Sequence, residues 1–294
     1  MTTSSRVVVF TTAALLGFAA NSILCRLALG SGTIDAATFT GVRLATGALT
    51  LLVLSRAAAS KHAPWLGGGT TGALLLFAYA AGFSLAYVRL DAGTGGLLLF
   101  GSVQSTMLLV GLLRGERPRA VEWGGFVLAA SGLLALLLPR IGGTAPDPAS
   151  AALMAGAGIS WGLYTLLGRG ESRPLAATAG NFLRTLPLAA VLCLIALPNA
   201  HASPRGVALA ALSGSIASGI GYSLWYGALT RLSCTRAAIV QLAVPVLTAA
   251  AGVAFLGERV SGRLVLAAAL ILGGVILALV RPRAHPRPAP SAPQ

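Results

Sequence analysis

The sequence is short of charge. Only 10% of its 294 residues are Asp, Glu, Lys or Arg, against about 25% in an ordinary soluble domain. With 56% hydrophobic residues, the chain could not cover a core with polar surface, so a soluble enzyme is excluded and lipid is the solvent that fits. Acids are the scarcest of the charged residues: Asp35, Asp91, Glu116, Glu122, Asp147, Glu171 and Glu258. Each lies at the end of an apolar run or between runs, as do His62, His201 and His285. No run centre offers a carboxylate or an imidazole. A metal-dependent or acid–base site inside the membrane would therefore lack ligands and bases. A proton relay of the usual Asp/Glu/His kind is missing for the same reason. Cys25, Cys193 and Cys234 are far apart, without a C-x-x-C spacing. Neither a redox centre nor a metal site is expected from them, and no cofactor is expected at all.

What the sequence does have is apolar runs and basic punctuation. The formal charge is +14, from 21 basic residues against 7 acids. The basic residues are scattered in short breaks rather than gathered on one segment, so they read as membrane topology signals and not as a nucleic-acid surface. About 20 apolar residues cross the ~30 Å hydrocarbon layer as a helix. Ten intervals qualify: Val8–Leu29, Ala36–Ser55, Thr70–Val88, Ala92–Leu113, Val121–Leu138, Ala149–Leu167, Leu175–Leu197, Val207–Leu229, Cys234–Leu256 and Leu264–Val280. The third and eighth are the most diluted by small and polar residues. The first interval carries Arg6 but no convincing cleavage site, and is expected to stay as a span rather than be removed as a signal peptide. The Pro-rich basic segment 281–294 is expected to be disordered.

Ten spans place both termini on one side. If that side is the cytoplasm, 13 basic residues fall inside and 6 outside, with Arg43 and Arg184 within spans. The positive-inside rule then favours cytoplasmic termini in a bacterial inner membrane.

The two halves of the sequence repeat one another. Phe83-Ser-Leu-Ala-Tyr87 matches Tyr222-Ser-Leu-Trp-Tyr226, Gly115-Glu-Arg117 matches Gly257-Glu-Arg259, and Ala130-Ser-Gly132 matches Leu272-Gly-Gly274. Arg43 in the second span matches Arg184 in the seventh. A five-span unit used twice enters the membrane from opposite sides. The expectation is an all-α membrane protein of ten transmembrane helices in two five-helix inverted-topology repeats, residues 1–140 and 149–280. Inverted repeats suit alternating access, because two related halves can exchange conformations.

The run from Tyr222 to Ala238, with Pro245, Phe255-Leu-Gly-Glu-Arg259 and Gly273-Gly274, resembles the EamA domain of the drug/metabolite transporter superfamily. The likeness extends over about residues 8–280. It implies a ten-helix basket around a central cavity and the export of small metabolites. Aromatic amino-acid exporters are the nearest comparison within the family. One departure is Val103, beside Gln104, where the family often has a proline.

Candidate site residues follow from what is costly or unusual in lipid. An amide must find a hydrogen-bond partner there, so Asn21, Gln104 and Gln241 should face the interior. Tyr79, Phe83, Trp161, Tyr164 and Tyr222 are aromatics near span centres, suited either to lining a cavity or to packing. The interfacial belt accounts for Trp65 and Trp123, and also suits Tyr87 and Tyr226. Arg43 and Arg184 either bind a substrate carboxylate in a bidentate fork or hold backbone carbonyls. Pro245 is a mid-span kink or a gating hinge. Glu116 and Glu258 are expected to pair with Arg117 and Arg259 or to tie down helix ends. Gly156, Gly158, Gly273 and Gly274 read as helix-packing surfaces. The expected function is a secondary transporter exporting small metabolites, with neutral, aromatic or hydrophobic amino acids as substrates and the lipid bilayer as its surroundings. The alternative is a drug or other-metabolite permease of the same superfamily, including a facilitator without ion coupling.

Overall fold

The computed structural model describes residues 3–59, 65–90, 92–137, 147–256 and 262–279. Among them the chain is helical, apart from short connections and one isolated β-bridge. The helices are α1 (Thr3–Leu29), α2 (Ala36–Ala58), α3 (Thr70–Ala86), α4 (Ala92–Leu113), α5 (Ala120–Leu137), α6 (Pro148–Arg169) and α7 (Pro174–Ala196). They continue with α8 (Pro204–Leu212), α9 (Gly221–Leu229), α10 (Cys234–Gln241), α11 (Ala243–Leu256) and α12 (Gly262–Leu279). A π-helical stretch, Ser213–Ile220, joins α8 to α9. Five helices are long and apolar enough to cross a membrane: Val7–Leu29, Ala36–Ala58, Pro148–Arg169, Pro174–Asn199 and Pro204–Leu229. Shorter apolar helices stand beside them at Thr70–Ala86, Leu98–Leu113, Arg236–Thr248 and Ala268–Leu277. The chain is a multi-pass membrane protein. The expectation for 281–294, and those for Glu258 and Arg259, lie outside the described residues.

Local sequence explains where helices start and stop. Asp35 caps α2 by accepting from Thr38 N at 2.9 Å, and Asp147 caps α6 by accepting from Ser150 N at 2.9 Å. Proline stands in the first turn of α6, α7 and α8, where its missing N–H costs nothing. Gly115 ends α4 at φ 81°, a left-handed conformation that Glu116 N→Gly111 O closes at 2.9 Å. This accounts for the glycine in the first copy of the Gly-Glu-Arg tripeptide. The ninth predicted interval is broken at Leu242, between α10 and α11. Pro245 has no N–H to offer the carbonyl of Gln241, which leaves that carbonyl without its helical partner beside the break.

Helix packing follows a regular scheme. α2 lies on α7, and α5 on α12. α3 lies on α6 and α7, while the rod 204–229 lies on α1 and α2. α4 lies on α6, and α11 on α1. Small residues permit the close contacts. A Cβ on Gly158 would sit 2.5 Å from Leu99 O, and one on Gly274 would sit 2.5 Å from Gly125 O. Gly156 has open space instead, and Gly273 only an ordinary side-chain contact, so the expected packing surfaces are half realised. With little hydrophobic drive between helices in lipid, such backbone approach is what van der Waals packing needs. Large apolar side chains such as Leu49, Val53, Ile195 and Ile276 are left exposed around the outside, as lipid contact requires.

Loops gather at two opposite ends. At one, Ile34 and Ala202 form the β-bridge, Ser203 N donates to Thr33 O at 2.8 Å, and Asp35 N donates to His201 O at 3.0 Å. His201 N in turn donates to Asp35 Oδ2 at 3.0 Å. Partial burial pushes the Asp35 carboxyl up, but the donors at Thr38 and His201 outweigh it and hold the group below the usual range. At the other end Arg169 pairs with Glu116 at 2.7 Å and donates through Nε to Leu232 O at 2.9 Å. Arg236 pairs there with Glu122 at 3.1 Å. Glu116 is thus tied to α6.

Candidate functional site

Arg43 is the most costly residue in the core. It projects from α2, is 1% exposed, and makes no ion pair among the described residues. Its Nε donates to Ser218 Oγ at 3.0 Å and its Nη2 to Tyr222 OH at 2.9 Å. Its Nη1 is buried without a hydrogen-bond partner. The guanidinium lies 5.4 Å from the ring centre of Tyr79 and 5.8 Å from that of Phe83. Aromatic faces and two hydroxyls soften the charge but do not neutralise it. That leaves a buried guanidinium with one unpartnered nitrogen, a group whose geometry a carboxylate would match best.

The surrounding cage comes from both halves of the chain. Trp161 stands 4.9 Å from Tyr79 and 4.8 Å from Tyr222, and Phe18 meets Trp161, Tyr222 and Trp225 edge-on. Phe182 closes on Tyr222 at 5.7 Å. The π-helical stretch supplies Ser218 and also Ser213, which donates to Asn21 Oδ1 at 2.6 Å. Its i→i+5 bonding brings residues five apart toward one face, which an α-helix would splay. Both serines are fully buried.

The expected site residues therefore divide. Tyr79, Phe83, Trp161 and Tyr222 converge on Arg43. Gln241 belongs to the same group, accepting from Trp161 Nε1 at 2.8 Å. Gln104 lies elsewhere, donating to Ala238 O at 2.5 Å with its Oε1 unpartnered. Asn21 is tied to Ser213. All of these side chains are buried against neighbours. Arg184, the sequence match of Arg43, is exposed and donates to Gly67 O at 2.8 Å. Of the two roles open to it, this contact is the backbone-holding one. Tyr226, which suited the interior as well as the belt, is buried and donates to Tyr164 O at 3.2 Å.

Tyr164 marks a second feature. With Tyr226 it forms the inner wall of a cavity of about 260 Å³ that opens beside loops 65–69 and 170–173. The rest of the lining includes Gly68, Gly72, Glu171, Thr178 and Asn181. Asn181 fixes the glycine segment by accepting from Gly69 N at 3.0 Å, and reaches Tyr164 OH at 3.4 Å. The sequence reading missed Asn181, although the rule that picked Asn21 applies equally to it. Phe18, Phe182 and Ser218 carried no signal that separates them from ordinary packing residues.

The EamA-like transporter family matches residues 149–280. Uncharacterized protein PA1977 of Pseudomonas aeruginosa is 52% identical over 274 residues, covering 93% of this chain and 94% of that one. The threonine/homoserine exporter RhtA of Escherichia coli K12 is 30% identical, covering 81% and 79%. RhtA of Salmonella typhimurium LT2 is 29% identical, covering 84% and 83%. A crystal structure of a protein 23% identical in sequence superposes on 91% of this chain and 98% of its own with a TM-score of 0.72, which shows a shared fold. Helices, repeated motifs and relatives agree, and the chain belongs to the EamA-like transporter family.

Proposed function

We propose that the protein exports neutral amino acids across the bacterial inner membrane by alternating access, and that Arg43 receives the substrate carboxylate. The single observation that carries this reading is the buried Arg43 guanidinium, with no counter-ion among the described residues and its Nη1 unpartnered, held between helices of both halves. The threonine/homoserine exporters among the relatives support an amino-acid substrate. The 260 Å³ cavity, small beside the ~300–1,000 Å³ of drug-sized sites, favours compact solutes.

In this reading the ten helical intervals are two inverted five-helix repeats, with both termini in the cytoplasm. The packing scheme supports it: α3 on α6 has its counterpart in the rod 204–229 on α1, and α4 on α6 in α11 on α1. The cage is closed around Arg43, and the open cavity lies at the end bearing 170–173. That arrangement suits a carrier caught between loading from the cytoplasm and release outside.

Uptake into everted membrane vesicles tests the function, using radiolabelled threonine, homoserine, leucine and phenylalanine with and without a pH gradient. Saturable uptake of at least one, absent from vesicles without the protein, is the expected result. No uptake of any amino acid by folded protein would overturn the reading in favour of a drug or other-metabolite permease. Dependence on the gradient decides coupling.

A further inference from the structure

The cavity beside loops 65–69 and 170–173 has the opposite chemistry to the Arg43 cage. Among the described residues no basic side chain lines it. Its charged member is Glu171, whose carboxylate has no ion pair or hydrogen bond among the described residues. Beside it, the Thr178 hydroxyl donates to Pro174 O at 2.8 Å, which leaves its oxygen lone pairs to accept. Asn181 has its oxygen committed to Gly69 N. The floor is glycine: a Cβ on Gly72 would sit 2.7 Å from Asn181 Nδ2, so a side chain there would intrude on the amide that shapes the wall. Among the described residues the cavity therefore presents one carboxylate without an ion pair and the Thr178 hydroxyl oxygen, within walls that are otherwise apolar or neutral.

We propose that this cavity is a loading site for the ammonium group of the solute, with Glu171 as its partner. The inference rests on the reading that Arg43 takes a carboxylate, and it narrows the substrate class to zwitterions. Between the two sites stand Tyr164 and Tyr226, stacked edge-on at 5.4 Å and linked by the Tyr226 hydroxyl to Tyr164 O. From Tyr164 the rings continue through Trp161, 6.0 Å away, to Tyr222, which holds Arg43. A zwitterion held at Glu171 by its cationic end directs its carboxylate away from that acid, along this line of neutral rings toward the guanidinium. A simple carboxylic acid gains nothing at the loading site and is repelled by Glu171. The two charges, placed in sequence along one path, select for amino acids against deaminated analogues before the substrate reaches Arg43.

The test uses everted vesicles bearing the full chain and a neutral amino acid that the wild type carries. Glu171→Gln keeps the shape and removes the charge. The expected result is a KM raised roughly tenfold, the worth of one charge-assisted contact, with kcat within about twofold. Competition by the deaminated analogue should become stronger in the same variant. A second measurement does not depend on turnover. Glu171→Cys, in a background with Cys25, Cys193 and Cys234 replaced by alanine, should react with a membrane-impermeant thiol reagent, and saturating amino acid should slow that reaction. An unchanged KM in Glu171→Gln, or labelling that the transported amino acid does not slow, overturns the loading site while leaving export standing. Failure of the wild type to carry any amino acid removes the export reading and this inference with it.

Discussion

Replacing Arg43 by Gln keeps a polar side chain in the cage but removes the charge and the fork. A charge at mid-membrane costs at least ~2.5 kcal/mol on insertion scales. A residue retained at that cost without a counter-ion is held for something other than stability. Arg43→Gln should therefore lower amino-acid transport more than about tenfold while leaving the thermal midpoint of the purified protein unchanged or raised. Arg43→Lys should recover part of the activity, since an ammonium supplies charge without bidentate geometry. A midpoint that falls in both variants with transport following it would mark Arg43 as structural. The sequence showed that Arg43 and Arg184 are both costly and occupy matching positions, but it gave them equal standing. Only the fold separates them: Arg43 faces serine, tyrosine and aromatic rings, and Arg184 faces a backbone carbonyl at the protein surface. Glu171 shows the same limit. Its place at a span end was readable, but the void beside it is lined from α6, α7, Tyr226 and the glycine segment at the start of α3, which no local pattern brings together.

Two departures from regular α-helix adjoin the cage. The π-helical stretch 213–220 brings Ser213 and Ser218 to buried positions facing Asn21 and Arg43. Its run of small residues, Ser-Gly-Ser-Ile-Ala-Ser-Gly-Ile, diluted the eighth interval in the sequence, but nothing in that composition distinguishes a π-helix from a poor α-helix. The break between α10 and α11 was more legible, because a mid-span proline always frees the carbonyl four residues before it. Here that carbonyl is on Gln241, whose side chain also holds Trp161. Pro245→Ala restores the missing N–H and should stiffen the segment. The expected outcome is a thermal midpoint equal to or above that of the wild type, with slower turnover and little change in KM. Undiminished turnover would show that the break is a tolerated kink and not a hinge.

For the whole molecule, the clustering of connections at two ends makes a sidedness prediction. Loops 30–35 and 197–203 are joined by the bridge around Asp35, while 114–119, 170–173 and 230–233 meet through Arg169, Glu116 and Leu232. Single cysteines at Ser31 and His201 should react with an impermeant reagent from the periplasmic side, and one at Arg231 from the cytoplasmic side. Labelling of Ser31→Cys and Arg231→Cys from the same side would break the proposed topology. What the sequence by itself determined was the solvent and the element type. Scarce charge and apolar runs demand lipid, and in lipid a backbone must satisfy itself as helix. The repeated motifs also pointed to the family. What only the tertiary structure decided was which buried side chains meet. The cage joins residues as distant as Arg43 and Tyr222, and no local rule links two helices that far apart. Their meeting is set by which small-residue faces approach most closely, a property of packed surfaces rather than of any one stretch of sequence.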